Sequence, residues 1–224
     1  MKNRKELFTV AGRHSRNIVR TCLLVAFGLL AVMALQAQDE YQIGDQGPAG
    51  GWIFYVDQDD QFDWTYLEAA PPQTDGWTFV HNGTPPKSDM LVPWGLPDEL
   101  GRSLPNHIGA GQANTSAIVE ALGKGQVFDH LDREHAAFYA TTFEVNGFDD
   151  WFLPSKDELE LMRDNLYKAG LGDFHDSMYN EYWSSSLADY GWGFFPEFLT
   201  FGESYRMDAP TPSEPLAVRP IRSF

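Results

Sequence analysis

The chain has 224 residues, a formal net charge of −16 and a single cysteine. One cysteine cannot form an internal disulfide or a cysteine-based zinc centre. The excess of acidic residues disfavours nucleic acid as a partner, because nucleic-acid binding needs a basic face. Hydrophobic residues make up 43% and aromatic residues 14% of the chain, a composition typical of a folded domain and not of a disordered one.

The amino-terminal segment has the pattern of a secretory signal peptide. Residues 1–20 are basic, Cys22–Leu35 is an unbroken apolar or small run, and the small residue Ala37 precedes an acidic stretch. The apolar run is shorter than the about 20 residues that a membrane-spanning helix needs. The pattern therefore predicts a signal peptide over residues 1–37 and export to the periplasm, the cell surface or the medium. An uncleaved membrane anchor is the alternative.

Residues 38–224 are expected to form one domain of many short elements, because Gly and Pro recur throughout and no repeat or long linker interrupts them. Gly51–Asp57 is rich in aromatic and β-branched residues and predicts a strand. Trp64–Ala70 is its expected hairpin partner, and residues 71–106 are expected to be a long ordered loop.

Two helices are predicted next. Gln112–Leu122 has apolar residues at helical spacing, with Asn114 or Thr115 as the expected cap and Gly123 as the stop. Residues 132–144 form the second helical candidate. Its expected inner face consists of Ala136, Ala137, Tyr139 and Ala140.

The clearest local signal lies between Trp151 and Gly170. Trp151–Leu153 predicts a short strand, and Ser155 followed three residues later by Glu158 predicts a capping box at the start of a helix. Gly170 is expected to end this helix in a left-handed conformation. The expected buried face consists of Leu159, Met162 and Leu166.

The carboxy-terminal part is expected to contain strands joined by turns. These strands are Tyr182–Ser186, Trp192–Leu199, Ser204–Asp208 and Leu216–Phe224. Pro196 and Pro220 are expected at a sheet edge or a bulge, because proline cannot donate a ladder hydrogen bond. The whole pattern predicts an α+β fold, with two or three helices packed on short, mostly antiparallel strands and long ordered loops.

Six segments together resemble the Lcl C-terminal domain family of secreted bacterial proteins. They are IGDQGPAGGWIFYVD, WTYLEAAP, IGAGQANTSAIVEAL, NGFDDWFLPSKDELELM, EYWSSS and VRPIRSF, and the resemblance covers roughly Tyr41 to Phe224. It implies a fold of the group that contains the C-type lectins and the formylglycine-generating enzymes. It also implies a binding or adhesion function, because the family takes its name from an adhesin associated with binding sulfated glycans.

Two features of this chain depart from that adhesin. It has no collagen-like Gly-X-Y tract, and its acidity disfavours sulfated or carboxylated polyanions through charge repulsion. A neutral glycan, a cationic protein surface or a calcium-bridged ligand is therefore the favoured class of partner.

No catalytic or metal site is predicted, and no cofactor. Formylglycine-generating enzymes work through cysteine, which the chain lacks beyond residue 37. Ser184–Ser186 lack the G-x-S-x-G elbow of a hydrolase and are expected to form hydrogen bonds within the sheet. His130 and His135 in DHLDREH lack the HExxH spacing of zinc enzymes, and the acidic loop Asp57–Asp63 lacks the glycine of an EF-hand.

Asp149 and Asp150 form a second acidic pair. Neighbouring residues of a strand point to opposite faces, unlike the paired carboxylates of a glycosidase. One of the two is expected to pair with Arg219 or Arg222, or to hold the Asn146–Gly147 turn.

Exposed aromatic side chains in the late loops are the predicted ligand site, because sugar rings stack on tryptophan and tyrosine and because lectin-like folds carry their ligands there. The predicted ligand-binding residues are Trp94, Asp189, Tyr190, Trp192, Glu203, Tyr205 and Asp208. Trp52, Trp151 and Trp183 are expected in the core instead.

Three hypotheses for the function follow. The first is a secreted, non-enzymatic, lectin-like binding or adhesion module with no membrane span after signal cleavage. The second is a cell-envelope protein–protein interaction or structural module, whose acidic surface meets a basic partner. The third is an envelope hydrolase.

Overall fold

The computed structural model describes residues 40–72, 89–123, 134–174, 180–202 and 208–224. In these residues, three α-helices and seven strands confirm the predicted α+β class. Their order is β1 (Trp52–Val56), β2 (Tyr66–Ala69), β3 (Met90–Val92), α1 (Gly111–Leu122), α2 (Ala136–Thr142), α3 (Lys156–Asn165), β4 (Glu181–Asp189), β5 (Phe194–Thr200), β6 (Leu216–Val218) and β7 (Ile221–Ser223). The predicted signal peptide and most of the predicted strand Ser204–Asp208 lie outside the described residues.

The strands form two sheets, with the orders β1-β2-β7 and β3-β6-β4-β5. All pairs are antiparallel except β4 with β6, which are parallel through Tyr182 and Ala217. The predicted single strand Leu216–Phe224 is therefore wrong. Arg219 and Pro220 separate β6 from β7, which belong to different sheets. Pro220 has no N–H group, so it lies between the strands, where no ladder hydrogen bond is required of it.

Several local predictions are confirmed. The β1–β2 hairpin forms as expected, with Trp52 opposite Ala69. Pro196 lies in β5, at the end of its sheet's strand order. The predicted strand Trp151–Leu153 is wrong, because it makes only a single bridge between Phe152 and Ile221 before Pro154 and the next helix.

The predicted long loop over residues 71–106 is also partly wrong. It contains β3 and a 3-10 turn at Pro97–Leu100. Strand β3 is only three residues long and pairs with the distant β6, so no local alternation marks it.

The helices start where local capping chemistry places them, with one exception. Helix α3 has the predicted capping box between Ser155 and Glu158. Helix α1 begins at Gly111, so the prediction that Asn114 or Thr115 caps it is wrong. Both are buried residues inside the helix. The Asn114 amide donates to the Pro105 carbonyl at 2.8 Å, and the Thr115 hydroxyl accepts from the Leu153 N–H at 3.0 Å. Both side chains therefore tie the helix to neighbouring loops.

Strand β4 separates two hydrophobic clusters. Tyr182 packs in the cluster that includes Phe54, Leu159 and Met162, between the three-stranded sheet and α3. Trp183 packs in the other cluster, with residues of α1, α2 and β6. Successive residues of a strand point to opposite faces, so these two buried aromatic rings connect the clusters through one strand. The same strand ends in the turn that carries the candidate site.

Candidate ligand-binding site at the β4–β5 turn

The turn between β4 and β5 is held by its own hydrogen bonds. Asp189 pairs with Phe194 across the hairpin, and the Tyr190 N–H donates to the Gly193 carbonyl at 3.2 Å. The Asp189 Oδ1 atom accepts from the Gly191 N–H at 2.7 Å. Gly191 has a φ of +79°, a left-handed conformation that glycine adopts without steric cost. The backbone of the turn is therefore defined before any ligand arrives.

Two aromatic side chains of this turn are exposed to solvent. Tyr190 is 61% and Trp192 is 79% exposed, and no other aromatic side chain in the described residues is exposed. Scattered apolar residues on a surface are ordinary, whereas large aromatic rings grouped on one turn form a patch of the kind that marks a binding site.

Phe195 supports both exposed rings from below. Its ring centroid lies 5.5 Å from that of Tyr190 and 4.6 Å from that of Trp192, at interplanar angles of 71° and 60°. Such edge-to-face and tilted pairs stabilise one another by about 0.5–1.5 kcal/mol. A Cβ atom at Gly193 would lie only 3.2 Å from the Phe195 ring, so glycine lets the ring approach the turn.

The structure groups three of the seven predicted ligand residues, namely Asp189, Tyr190 and Trp192, in this turn. Asp208 is exposed, while Glu203 and Tyr205 lie outside the described residues. Phe195 was not among the predicted site residues. It lies in an aromatic-rich strand, where nothing distinguishes a supporting ring from a core ring.

The prediction that Trp94 is exposed is wrong. Its side chain is fully buried, and its indole N–H donates to the Ser184 carbonyl at 2.8 Å. Its backbone N–H donates to the Pro212 carbonyl at 2.9 Å, so a late loop covers this segment. The many Pro and Gly residues around Trp94 predicted a surface loop, but the tryptophan of that loop fills the core.

The three serines of β4 have structural roles. Ser184 donates to the Glu197 carbonyl of β5 at 2.7 Å, within the sheet as predicted. The hydroxyl groups of Ser185 and Ser186 donate instead to the carbonyls of Pro154 and Pro105, at 3.1 Å and 3.0 Å. All three side chains are buried, so none of them is placed as a nucleophile.

The predicted pairing of the Asp149–Asp150 segment with the last strand is confirmed. Arg222 donates to both oxygens of Asp150 at 2.8 Å and to Glu68 Oε2 at 3.3 Å. The Arg222 guanidinium lowers the pKa of Asp150. Burial raises the pKa of Glu68, whose carboxylate also accepts from the N–H groups of Ala49 and Gly51. These carboxylates therefore hold neighbouring segments together.

Arg219, the other arginine considered for that pairing, is fully buried. It donates through Nε and Nη2 to the two oxygens of Asp89, and through Nη1 to the Gly172 carbonyl at 2.8 Å. The Arg219 ion pair therefore joins the residue that follows β6 to the residue that precedes β3.

His135 caps a helix. Its Nδ1 atom accepts from the Phe138 N–H at 3.2 Å, and its Nε2 atom lies 3.0 Å from the Gly123 carbonyl. His130 lies outside the described residues. In the part of the chain that the structure describes, no group of three His, Cys, Asp or Glu side chains is arranged to hold a metal ion. No helix in that part is long and apolar enough to cross a membrane.

Comparisons with protein-family models, with curated proteins and with solved structures each found no match. The resemblance to the Lcl C-terminal domain family therefore stays a prediction from the quoted motifs.

Proposed function

We propose that this chain is an exported, non-enzymatic binding module with a C-type-lectin-like fold, which recognises a neutral glycan through Tyr190 and Trp192. The observation that carries the proposal is that two exposed aromatic rings lie on one hydrogen-bonded turn. The exported location and the lectin-like fold come from the signal-peptide pattern and from the family resemblance.

The chemistry of the turn suits a sugar. A pyranose ring has an apolar C–H face, which packs on an aromatic ring, and hydroxyl groups around its edge. Asp189 uses Oδ1 for the turn, which leaves its second oxygen as an acceptor for a sugar hydroxyl beside the rings. A few polar groups that fix orientation beside an apolar contact are typical of small-ligand sites.

Charge favours a neutral sugar over an anionic one. The chain carries 32 Asp and Glu residues against 16 Lys and Arg residues, so its field repels sulfated and carboxylated glycans. Asp189 is itself exposed in the turn and adds local repulsion. We therefore expect neutral hexoses to bind more tightly than their sulfated counterparts.

A glycan array tests this proposal. The protein is applied with calcium and then with a chelator, and each bound sugar is measured again with Trp192→Ala and Tyr190→Ala. Each truncation removes one stacking surface, and we expect about tenfold weaker binding, which corresponds to about 1.4 kcal/mol.

Ile43→Ala is the matched control, because it removes an exposed apolar side chain outside the turn. It should leave binding unchanged. A blank array under both conditions, or a bound sugar that is indifferent to both aromatic truncations, would overturn the proposal.

A cell-envelope protein partner is the second candidate, and the acidity of the chain favours it. In the described residues, Arg219 and Arg222 are buried against carboxylates, so they do not neutralise the surface. A basic partner would be captured at low salt and lost steeply as salt is added, because exposed charges are screened over about 8–10 Å at physiological ionic strength. Sugar stacking has no such salt dependence.

A further inference from the structure

A depression of about 560 Å³ opens between the carboxy-terminal end of α3 and the end of β5. It is lined by Arg163, Tyr167, Lys168, Thr200, Phe201 and Gly202. Its volume lies within the range of small-molecule sites. None of these residues belongs to the β4–β5 turn. A ligand of the depression is therefore a separate proposal from the glycan site.

The two cations of the depression share one carboxylate. Arg163 Nε lies 2.8 Å and Lys168 Nζ lies 2.9 Å from the same atom, Asp164 Oδ1. Both cationic groups are therefore close neighbours, and the three side chains together carry one net positive charge. Of the other cations in ion pairs of the described residues, Lys156 pairs with Glu197, and Arg219 and Arg222 are buried against carboxylates. The depression thus places two neighbouring cations on an acidic protein.

The remaining walls supply hydroxyl donors and an apolar floor. The Tyr167 hydroxyl accepts from the Asn180 side-chain amide at 3.3 Å, which leaves its own proton for another acceptor. Thr200 is a second hydroxyl-bearing residue that lines the depression. The Tyr167 ring packs edge-on against the buried Phe201 ring, with centroids 5.5 Å apart. Cations, hydroxyl donors and an apolar floor together suit a small molecule that carries one anionic group.

We propose that this depression binds the carboxylate or phosphate group of a small anionic ligand, with Arg163 and Lys168 as the charged partners and Tyr167 and Thr200 as hydroxyl donors. Guanidinium and ammonium groups bind such oxyanions through charge-assisted hydrogen bonds. Because Asp164 occupies Arg163 Nε, the ligand meets the terminal nitrogens of the guanidinium. Asp164 competes with the ligand for both cations and so weakens its binding.

The alternative role of these cations is structural, since basic side chains also stabilise the carboxy-terminal end of a helix. The two roles differ in what Asp164→Asn does. A purely structural pair loses a partner and gains nothing. An anion site loses its internal competitor, and an anion about 4 Å away should bind about fivefold more tightly in water.

The test is a titration of the purified protein, expressed from the full-length sequence, followed by backbone amide NMR. Inorganic phosphate is one arm and acetate is the other, so the tighter of the two identifies the oxyanion. We expect saturable shifts at Tyr167, Lys168, Thr200 and Gly202. The double variant Arg163→Ala/Lys168→Ala should abolish these shifts, and Asp164→Asn should tighten binding about fivefold.

Lys156→Ala is the matched control, because it removes a half-buried cation that pairs elsewhere, with Glu197. It should leave the titration unchanged. The amide spectrum of each variant without anion shows whether the fold is kept. Shifts that do not saturate in either arm, or that survive the double variant in a folded protein, would overturn the proposal. So would binding that Asp164→Asn does not tighten.

Discussion

His135 shows at the scale of one residue how a buried titratable group couples pH to stability. Burial lowers the pKa of its imidazole below the ordinary value of about 6.5, because the charged form is poorly solvated at that position. The neutral ring suits its cap, since Nδ1 must accept the Phe138 N–H while Nε2 faces the Gly123 carbonyl. Protonation of Nδ1 would remove that acceptor.

The expected consequence is a loss of stability in mild acid. As pH falls through about 6.5, the unfolded chain binds a proton that the folded chain does not, so the contribution of His135 to stability falls. His135→Asn keeps a side chain that can cap a helix but removes the titration. The free energy of unfolding, measured in urea from pH 8 to pH 5, should fall less steeply for this variant than for the parent chain.

His107→Asn is the control for that measurement. It makes the same exchange at an exposed histidine that caps no helix, and so shows what the His→Asn replacement does by itself. Parallel curves for His135→Asn and the parent chain would contradict the coupling, because Glu68 and Glu158 titrate in both proteins and cancel in the comparison.

Helix α3 shows at the scale of an element how one local motif positions several segments. The Ser155 hydroxyl accepts from the Glu158 N–H at 3.3 Å, and Glu158 Oε2 accepts from the Ser155 N–H at 2.7 Å. Glu158 Oε1 also accepts from the Gly109 N–H at 2.8 Å, so the same carboxylate holds the loop before α1. A Cβ atom at Gly111 would lie 2.3 Å from Glu158, and only glycine leaves room for this carboxylate.

Removing the serine hydroxyl should therefore destabilise the fold through more than one contact. Ser155→Ala removes the cap and also the hydrogen bond to the His107 carbonyl, at 3.0 Å. We expect a loss of about 1–2 kcal/mol in the free energy of unfolding, the upper part of the range for a lost cap. Ser116→Ala, at an exposed helix position, should change it by less than about 0.5 kcal/mol. Equal effects of the two substitutions in urea unfolding would contradict the role of the capping box.

The same elements show how far the fold follows from the sequence. The capping box, the β1–β2 hairpin and the alanine face of α2 rest on neighbouring residues, and each was predictable from local spacing. The pairing of β3 with β6 joins residues more than a hundred positions apart, so no local pattern indicates it.

Some residues of the candidate site were likewise predictable from the sequence, and others were not. Asp189, Tyr190 and Trp192 were predictable as late aromatic residues with an acidic neighbour. The predicted strand Trp192–Leu199 begins two residues too early, because β5 starts at Phe194 and Trp192 lies in the turn before it. The burial of Trp94 depends on the distant Ser184 and Pro212, and its loop-like surroundings gave the opposite indication. Phe195 was missed because its role as a support depends on ring contacts that only the folded turn creates.

The net negative charge affects the folding stability of the whole molecule. The net charge of −16 repels itself most strongly when the chain is compact, and this repulsion opposes folding. The ion pairs of Arg219 and Arg222 are largely buried, so salt screens them much less than it screens the exposed carboxylates. Added salt should therefore relieve the repulsion without removing the attractions that hold the sheets.

We expect the thermal midpoint to rise with ionic strength as a result. Between about 0.02 M and 0.5 M sodium chloride the screening length falls severalfold. A gain of about 1 kcal/mol would raise the midpoint of a domain of this size by about 2–4 °C. Thermal unfolding at constant pH, followed by circular dichroism, measures the shift. Potassium chloride should give the same shift at equal ionic strength, because screening does not depend on the identity of a monovalent cation. A midpoint that falls with salt would mean that exposed ion pairs, such as Lys168 with Asp164, outweigh the repulsion among the carboxylates.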